Sequence, residues 1–222
     1  MSIRTDIAAE SFSQAGGAEK LQGVKVKNKV IENARLEVTD ITIETQEAAE
    51  KLGRPIGRYI TLTATDSTFD MYSDSFRERA EVIAKAIGEL CGECERFLAV
   101  GLGNYALTSD AVGPLTAEKI FATRHIKSLA KEIDTDDLGE VTVIQPGVLG
   151  NTGIESSEQV KAIAERVTPQ AIIAVDALAC SELSNLGRTI QLCNTGISPG
   201  SGVENARKEL SLSTLCLLYT SP

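Results

Sequence analysis

Two aspartates, Asp110 and Asp176, stand at positions where a carboxylate can do chemistry. Asp176 directly follows AIIAV (Ala171–Val175), an apolar run that reads as a buried strand. A carboxylate there is poorly solvated, so its pKa should rise unless it is paired. This makes Asp176 the better single candidate. Asp110 follows a second apolar run, Phe97–Val100, by way of a glycine-rich loop, and precedes a helix. Taken alone, it reads first as that helix's cap. Taken with Asp176, it suggests more. Two aspartates after separate strands of one parallel sheet can converge at its carboxyl edge. Close carboxylates share a proton, one activating water while the other donates to the carbonyl or leaving amine. That is peptide hydrolysis without a nucleophilic side chain.

Three loops surround these residues. In VGLGNYALTSDAVGPL (Val100–Leu115), Gly101 and Gly103 allow a tight turn and Asn104 can hydrogen-bond locally. The G-x-G does not make a dinucleotide site, because no helix opens after it. In QPGVLGNTGIES (Gln145–Ser156), Gly147, Gly150 and Gly153 free the backbone, and Asn151 and Thr152 offer side-chain hydrogen bonds. This loop reads either as a wall presenting N–H groups to a peptide or oxyanion, or as a turn that only enters the next helix. The third, NTGISPGSGV (Asn194–Val203), contains Gly196 and Ser198 and could border the same cleft.

Other chemistries find little material. The chain has one histidine, His125, so a metal site with several histidines is excluded. A Ser–His or Cys–His pair would need that residue, which sits mid-helix in ATRHIKSL and reads as a surface or interface side chain. Cys91 and Cys94 form a lone C-x-x-C with no second pair at zinc spacing, and read as structural. Five cysteines suit a reducing interior. A net charge of −9 without a basic stripe argues against direct binding to nucleic acid. No metal or cofactor is implied.

The positioning elements follow from periodicity. The 222 residues suit one α/β domain, or one with a small appendage. VKVKNKV, LEVTDITIET and RYITLTAT alternate as strands between Val24 and Thr65, with turn chemistry at Gly53-Arg54-Pro55. Phe76, Ala80, Ile83, Ala84 and Ile87 recur at helical spacing between Ser73 and Gly92. Then strands at Phe97–Val100, Val141–Ile144 and Ala171–Val175 alternate with helices at Thr116–Ile133 and Ser157–Val167. The expected fold is α/β: a mostly parallel central sheet flanked by helices, with a β-rich N-terminal section. No apolar run approaches a membrane span and the N-terminus lacks a signal peptide's apolar core, so a cytosolic setting is expected. The tail SLSTLCLLYTSP has no clear periodicity and reads as non-native sequence over 211–222.

Together the loops resemble the germination protease family, spore endopeptidases of an atypical aspartic type. VGLGNYALTSDAVGPL resembles its V-G-L-G-N and T-P-D-A-L-G-P turn. TRHI, PGVLGNTGIES, AVDALA and TGISPGSGVENARKEL resemble its successive blocks, in order, over nearly all of Ile3–Leu210. The resemblance implies a phosphorylase/hydrolase-like fold shared with hydrogenase maturation proteases. It assigns catalysis to Asp110 and Asp176, with substrate contacts at Gly101, Gly103, Asn104, Gly150, Thr152, Gly153, Gly196 and Ser198. The implied substrates are small acid-soluble spore proteins, degraded at germination by a homotetramer in the cytoplasm of the forespore and spore core. IRTDIAAES resembles the start of the family's self-processing zymogen. This implies a propeptide over 1–8, a cut between Ala8 and Ala9, and a protease domain over 9–210 that is incomplete at its C-terminus. Ser109 departs from the family's Pro, and Ala179-Cys180-Ser181-Glu182 from an Arg-containing run. Two other readings stay open. One is a nickel-dependent hydrogenase maturation endopeptidase, with Asp110, Asp176 and His125 at the metal. The other is a non-catalytic α/β module that binds a small anionic ligand.

Overall fold

The structure is a computed structural model that describes residues 5–16, 22–66, 68–129, 135 and 138–197, and the backbone of 214–220. It divides into two compact units.

The first unit comprises residues 1–90, 178–195 and 217–222. Its strands β1 (Val24–Ile31), β2 (Leu36–Ile43) and β3 (Gly57–Ala64) pair antiparallel, with Ile31 opposite Leu36 and Leu36 opposite Ala64. Alternation sets this register, because a slip by one residue would turn buried Ile41 and Ile43, which share one face, to the other. Helix α1 (Ala8–Gln14) precedes them.

Between β2 and β3 lies α2 (Gln46–Leu52), a helix not anticipated from the sequence. Thr45 begins it by accepting the Ala48 N–H, and Gly53, at φ 62°, ends it in the left-handed conformation. The turn expected at Gly53 is therefore a helix stop. Strand β7 (Thr189–Cys193), also unanticipated, pairs antiparallel with β3, placing Tyr59 opposite Cys193 and Thr63 opposite Thr189.

Helix α3 (Phe76–Cys91) forms as its spacing predicts, but with a different buried face. Phe76, Ala80 and Ala84 are exposed. Val82, Ile83, Ala86, Ile87 and Leu90 pack instead on Ile60, Leu62, Ile190 and Leu192. The cause is Arg79, which is only 2% exposed. Its guanidinium pairs with Asp66, donates to the carbonyls of Ala34 (3.0 Å) and Thr68 (3.3 Å), and lies 5.5 Å from the Phe69 ring centroid. A charged residue leads the core face.

The second unit comprises residues 91–177 and 196–216. Its central strand β4 (Arg96–Gly101) runs parallel to β5 (Glu140–Ile144) on one side and β6 (Ala171–Leu178) on the other. Val100 faces Ile144, and Gly101 faces Val175. Helices α4 (Val112–Lys119) and α5 (Arg124–Leu129) connect β4 to β5. A one-turn helix α6 (Leu149–Thr152) and then α7 (Ser156–Val167) connect β5 to β6. The α/β architecture with a parallel sheet and an antiparallel β-rich N-terminal section is thus observed.

The single helix expected over Thr116–Ile133 is two helices, and residues 130–133 lie outside those described. The break is at Thr123, which leaves the helix to meet β5. Its N–H donates to the Val141 carbonyl (3.1 Å), and its hydroxyl donates to the Gly139 carbonyl and accepts the Val141 N–H (2.8 Å). Its own carbonyl then accepts from Ile126 and Lys127, opening α5. A further strand, β8 (Thr214–Thr220), falls in the stretch read as non-native. Among the described residues, no helix is long and apolar enough to cross a membrane.

Candidate active site

Because β4, β5 and β6 are parallel, the loops that follow β4 and β5 and the last residues of β6 lie at one sheet edge. The chain leaves β4 toward β5, while β6 occupies the opposite flank of β4. That puts a topological switch point between β4 and β6, and in open α/β sheets ligands bind at such points, outside the carboxyl ends of the strands.

Glycines close the backbone around that point. The Leu102 N–H donates to the Val175 carbonyl (2.8 Å), extending the sheet one residue past Gly101. Gly113, in the first turn of α4, lies against both chains. A Cβ there would stand 2.6 Å from the Leu102 nitrogen and overlap the carbonyl oxygens of Leu102 and Val175. A Cβ on Gly101 would reach Ala117 at 2.8 Å and overlap the Gly113 carbonyl. Only hydrogen side chains let α4 descend this far onto the sheet.

Asp110 ends a 3-10 turn (Thr108–Asp110), half-buried. The Asn104 N–H donates to its carbonyl oxygen (3.0 Å) and to its carboxylate Oδ2 (2.8 Å). Gly103, at φ 115°, makes this possible; a Cβ there would collide with the Asp110 carbonyl. Asn104 secures the turn a second time, its Oδ1 accepting from the Ala106 N–H (3.0 Å). Asp110 does not cap α4. The N-cap position is Ala111, with no side-chain cap bond.

Asp176 is one residue beyond the last β6 position paired with β4. The strand does not end at Val175, as the sequence suggested, but runs to Leu178, so Asp176 has extended backbone on both sides. It is half-buried, and its Oδ1 accepts the Ala177 N–H (2.9 Å). Asp110 lies three residues before Gly113, and Asp176 immediately follows the carbonyl on which Gly113 rests. The two aspartates thus flank one backbone crossing.

The other expected site residues are placed unevenly. Gly101, Gly103 and Asn104 belong to this crossing. Gly150, Thr152 and Gly153 lie in or just after α6, exposed, at the end of β5. There the N–H groups of Asn151, Thr152 and Gly153 donate to carbonyls of Val148 and Leu149, and the Thr152 hydroxyl serves the backbone of Ile154. The loop is therefore a hydrogen-bonded helical turn whose own carbonyls take those donors. Gly196 adopts φ 85°, and Ser198 lies outside the described residues. His125 is exposed on α5. Among the described residues, no group of three or more His, Cys, Asp or Glu is arranged to hold a metal ion. The Cys94 thiol donates to the Cys91 carbonyl (3.1 Å), and burial, then the neighbouring Cys94, pushes the Cys91 thiol pKa up.

The N-terminal segment supplies a residue that sequence reasoning missed. Ala8 and Ile7 are buried, and the Ala8 N–H donates to Gln191 Oε1 (2.6 Å). Glu10, 5% exposed, accepts from the Ser181 N–H (2.9 Å), the Ser181 hydroxyl and Asn185 Nδ2 (2.6 Å). Burial opposes its ionisation, but hydrogen bonds from Ser181, Thr5 and Asn185 outweigh it and lower its pKa. An acid in a helix's first turn looks routine in sequence, and nothing local marks partners more than 170 residues away.

These features define an α/β protein with two aspartates at the carboxyl edge of a parallel sheet, set there by close-packed glycines. Residues 4–219 match the model of the family described as germination protease, and the chain belongs to that family. It is 38% identical over 218 residues to the germination protease of Clostridium perfringens (strain ATCC 13124), covering 96% of this chain and 66% of that protein. With that of Clostridium tetani it is 39% identical over 221 residues, covering 97% and 67%. With that of Caldanaerobacter subterraneus it is 37% identical over 217 residues, covering 97% and 66%. The chain spans about two thirds of the length of these relatives.

Proposed function

We propose that this chain carries the aspartate pair of an endopeptidase that degrades small acid-soluble spore proteins during germination. The observation that supports it is the crossing of Gly113, three residues after Asp110, over the carbonyl of Val175, the residue before Asp176. In this reading the pair shares one proton. The ionised member removes a proton from water, which attacks the scissile carbonyl. The protonated member donates to the carbonyl oxygen and then to the leaving amine. Gly101, Gly103 and Asn104 hold the Asp110 turn and border the peptide. Gly150, Thr152, Gly153, Gly196 and Ser198 form the remaining proposed contacts.

The enzyme is further proposed to be a cytoplasmic homotetramer of the forespore and spore core, made as a zymogen that cuts itself between Ala8 and Ala9. The test is cleavage of a peptide such as Glu-Ile-Ala-Ser-Glu. Wild type should cut it, while Asp110→Asn and Asp176→Asn, each folded, should not. Undiminished cleavage by both variants would remove the aspartate mechanism.

A further inference from the structure

Strand β1 ends its sheet, and among the described residues it pairs with β2 alone. The ladder shows which of its backbone groups are left over. The Glu44 N–H donates to the Gly23 carbonyl (2.8 Å), one step beyond the pair Val24–Ile43. In an antiparallel pair, hydrogen-bonded and non-hydrogen-bonded positions alternate. Lys25, Lys27 and Lys29 therefore turn their N–H and C=O groups toward β2. Val24, Val26, Asn28 and Val30 turn theirs outward, to an open edge.

The side chains along this edge alternate as well. Lys25, Lys27 and Lys29 are exposed and share one face of the strand. Val24, Val26 and Val30 share the other, and Val30 is 62% exposed. Lys25 is paired with Glu44 (2.5 Å). Asp40 stands opposite Lys27, but Arg58 already holds it, Nη2 at 2.8 Å from Oδ2 and Nε at 3.0 Å from Oδ1. Lys29 stands opposite Val38. Among the described residues, no carboxylate pairs with Lys27 or Lys29.

A strand added here would form its hydrogen-bonded pairs with Val24, Val26, Asn28 and Val30. Its remaining residues would meet the lysines at non-hydrogen-bonded positions, where opposite Cα atoms are only about 4.5 Å apart. A second copy of β1 is a poor occupant, because every well-overlapped antiparallel register sets lysine against lysine. An extended segment with acidic residues at alternate positions, and apolar ones between, matches both faces. Lysines on an edge deter indiscriminate pairing; the same row decides which strand is admitted.

We propose that the outer edge of β1 docks an extended acidic segment of another protein by strand addition, with Lys27 and Lys29 selecting it by charge. The proposal does not rest on the aspartate reading.

The probe is a labelled peptide, Glu-Val-Glu-Val-Glu-Val-Glu, titrated against the full chain by fluorescence anisotropy. Glu-Glu-Glu-Glu-Val-Val-Val, of the same composition, is the control. The alternating peptide should bind saturably, and the control should not. Lys27→Glu combined with Lys29→Glu should weaken binding by roughly tenfold or more. Val26→Pro should weaken it as much with the β1–β2 ladder intact, since it deletes only an outward N–H. Amide exchange reads the edge in the wild type itself. Val26, Asn28 and Val30 should exchange fast in the free chain, Lys27 and Lys29 slowly, and the peptide should slow the first group. No saturable binding would overturn the proposal. So would equal binding of the control, which reduces the contact to charge alone, or undiminished binding by the double lysine variant. Slow exchange at Val26, Asn28 and Val30 in the free chain would show the edge already covered, and would overturn it too.

Discussion

Gly113 rests on the carbonyl of Val175, too close for any side chain between them. That single approach sets α4, which begins two residues after Asp110, against the strand that bears Asp176. Since the opposing atoms are backbone of Leu102 and Val175, they cannot swing aside as a flexible side chain would. Gly113→Ala should therefore cost about 1–3 kcal/mol of stability by overpacking and lower peptide cleavage. Urea unfolding alongside the cleavage rate checks this, and a variant as stable as wild type would show that the approach is looser.

Gly103 tests the same turn differently. At φ 115° an alanine is strained, and its Cβ would strike the Asp110 carbonyl. Gly103→Ala should displace Asp110 and lower kcat on the order of a hundredfold, the scale expected when a reacting group moves by an ångström. Circular dichroism should change little. An unaltered kcat would mean that Asp110 needs no fixed turn.

Arg79 predicts a stability effect remote from the aspartates. Arg79→Met removes one of the two arginine partners of Asp66, which keeps Arg35, and the donors to Ala34 and Thr68. Breaking a fully buried pair from one side costs about 3–5 kcal/mol, and the partly exposed Asp66, still paired with Arg35, puts this loss at the lower end of that range. Chemical denaturation should show most of this loss, and a change within error would mean that the pair is not held in solution.

The hydrogen-bonded cluster around Glu10 carries a pH signature. Its folded pKa lies below the ordinary 4.5, so its contribution is complete above that value and is lost as pH falls through the lowered one. Asp6, Arg54, Cys180 and Glu182 face the same cluster, so the reference is Glu10→Gln, which keeps them all. The stability gap between wild type and this variant should be constant at neutral pH and close only in acid. A gap that closes near neutrality would contradict the lowered pKa.

Much of this was legible from periodicity and glycine placement. The alternation in LEVTDITI predicts β2, and the apolar FLAV and AIIAV predict β4 and β6. What escaped did so for physical reasons. TIQLC of β7 carries Thr189 and Gln191 into the interior, where cross-strand partners and Ala8 satisfy them, so it has no apolar signature. Arg79 turns the α3 face because its charge is met by Asp66, a partner no helical wheel displays. Thr123 breaks a helix through bonds to β5 that exist only once the sheet forms. Asp110 and Asp176 were visible as carboxylates after strands. Their placement on either side of one backbone crossing follows from Gly113, whose close approach only the folded chain reveals.

The most direct measurement is a double-mutant cycle on peptide cleavage with Asp110→Asn, Asp176→Asn and both together. Carboxylates that act as one unit should be non-additive. Either single change should lower kcat/KM by on the order of 10²–10⁴, and the double change should lower it little further. Losses that multiply, or a single variant that keeps its full rate, would show that the two carboxylates do not share one reaction.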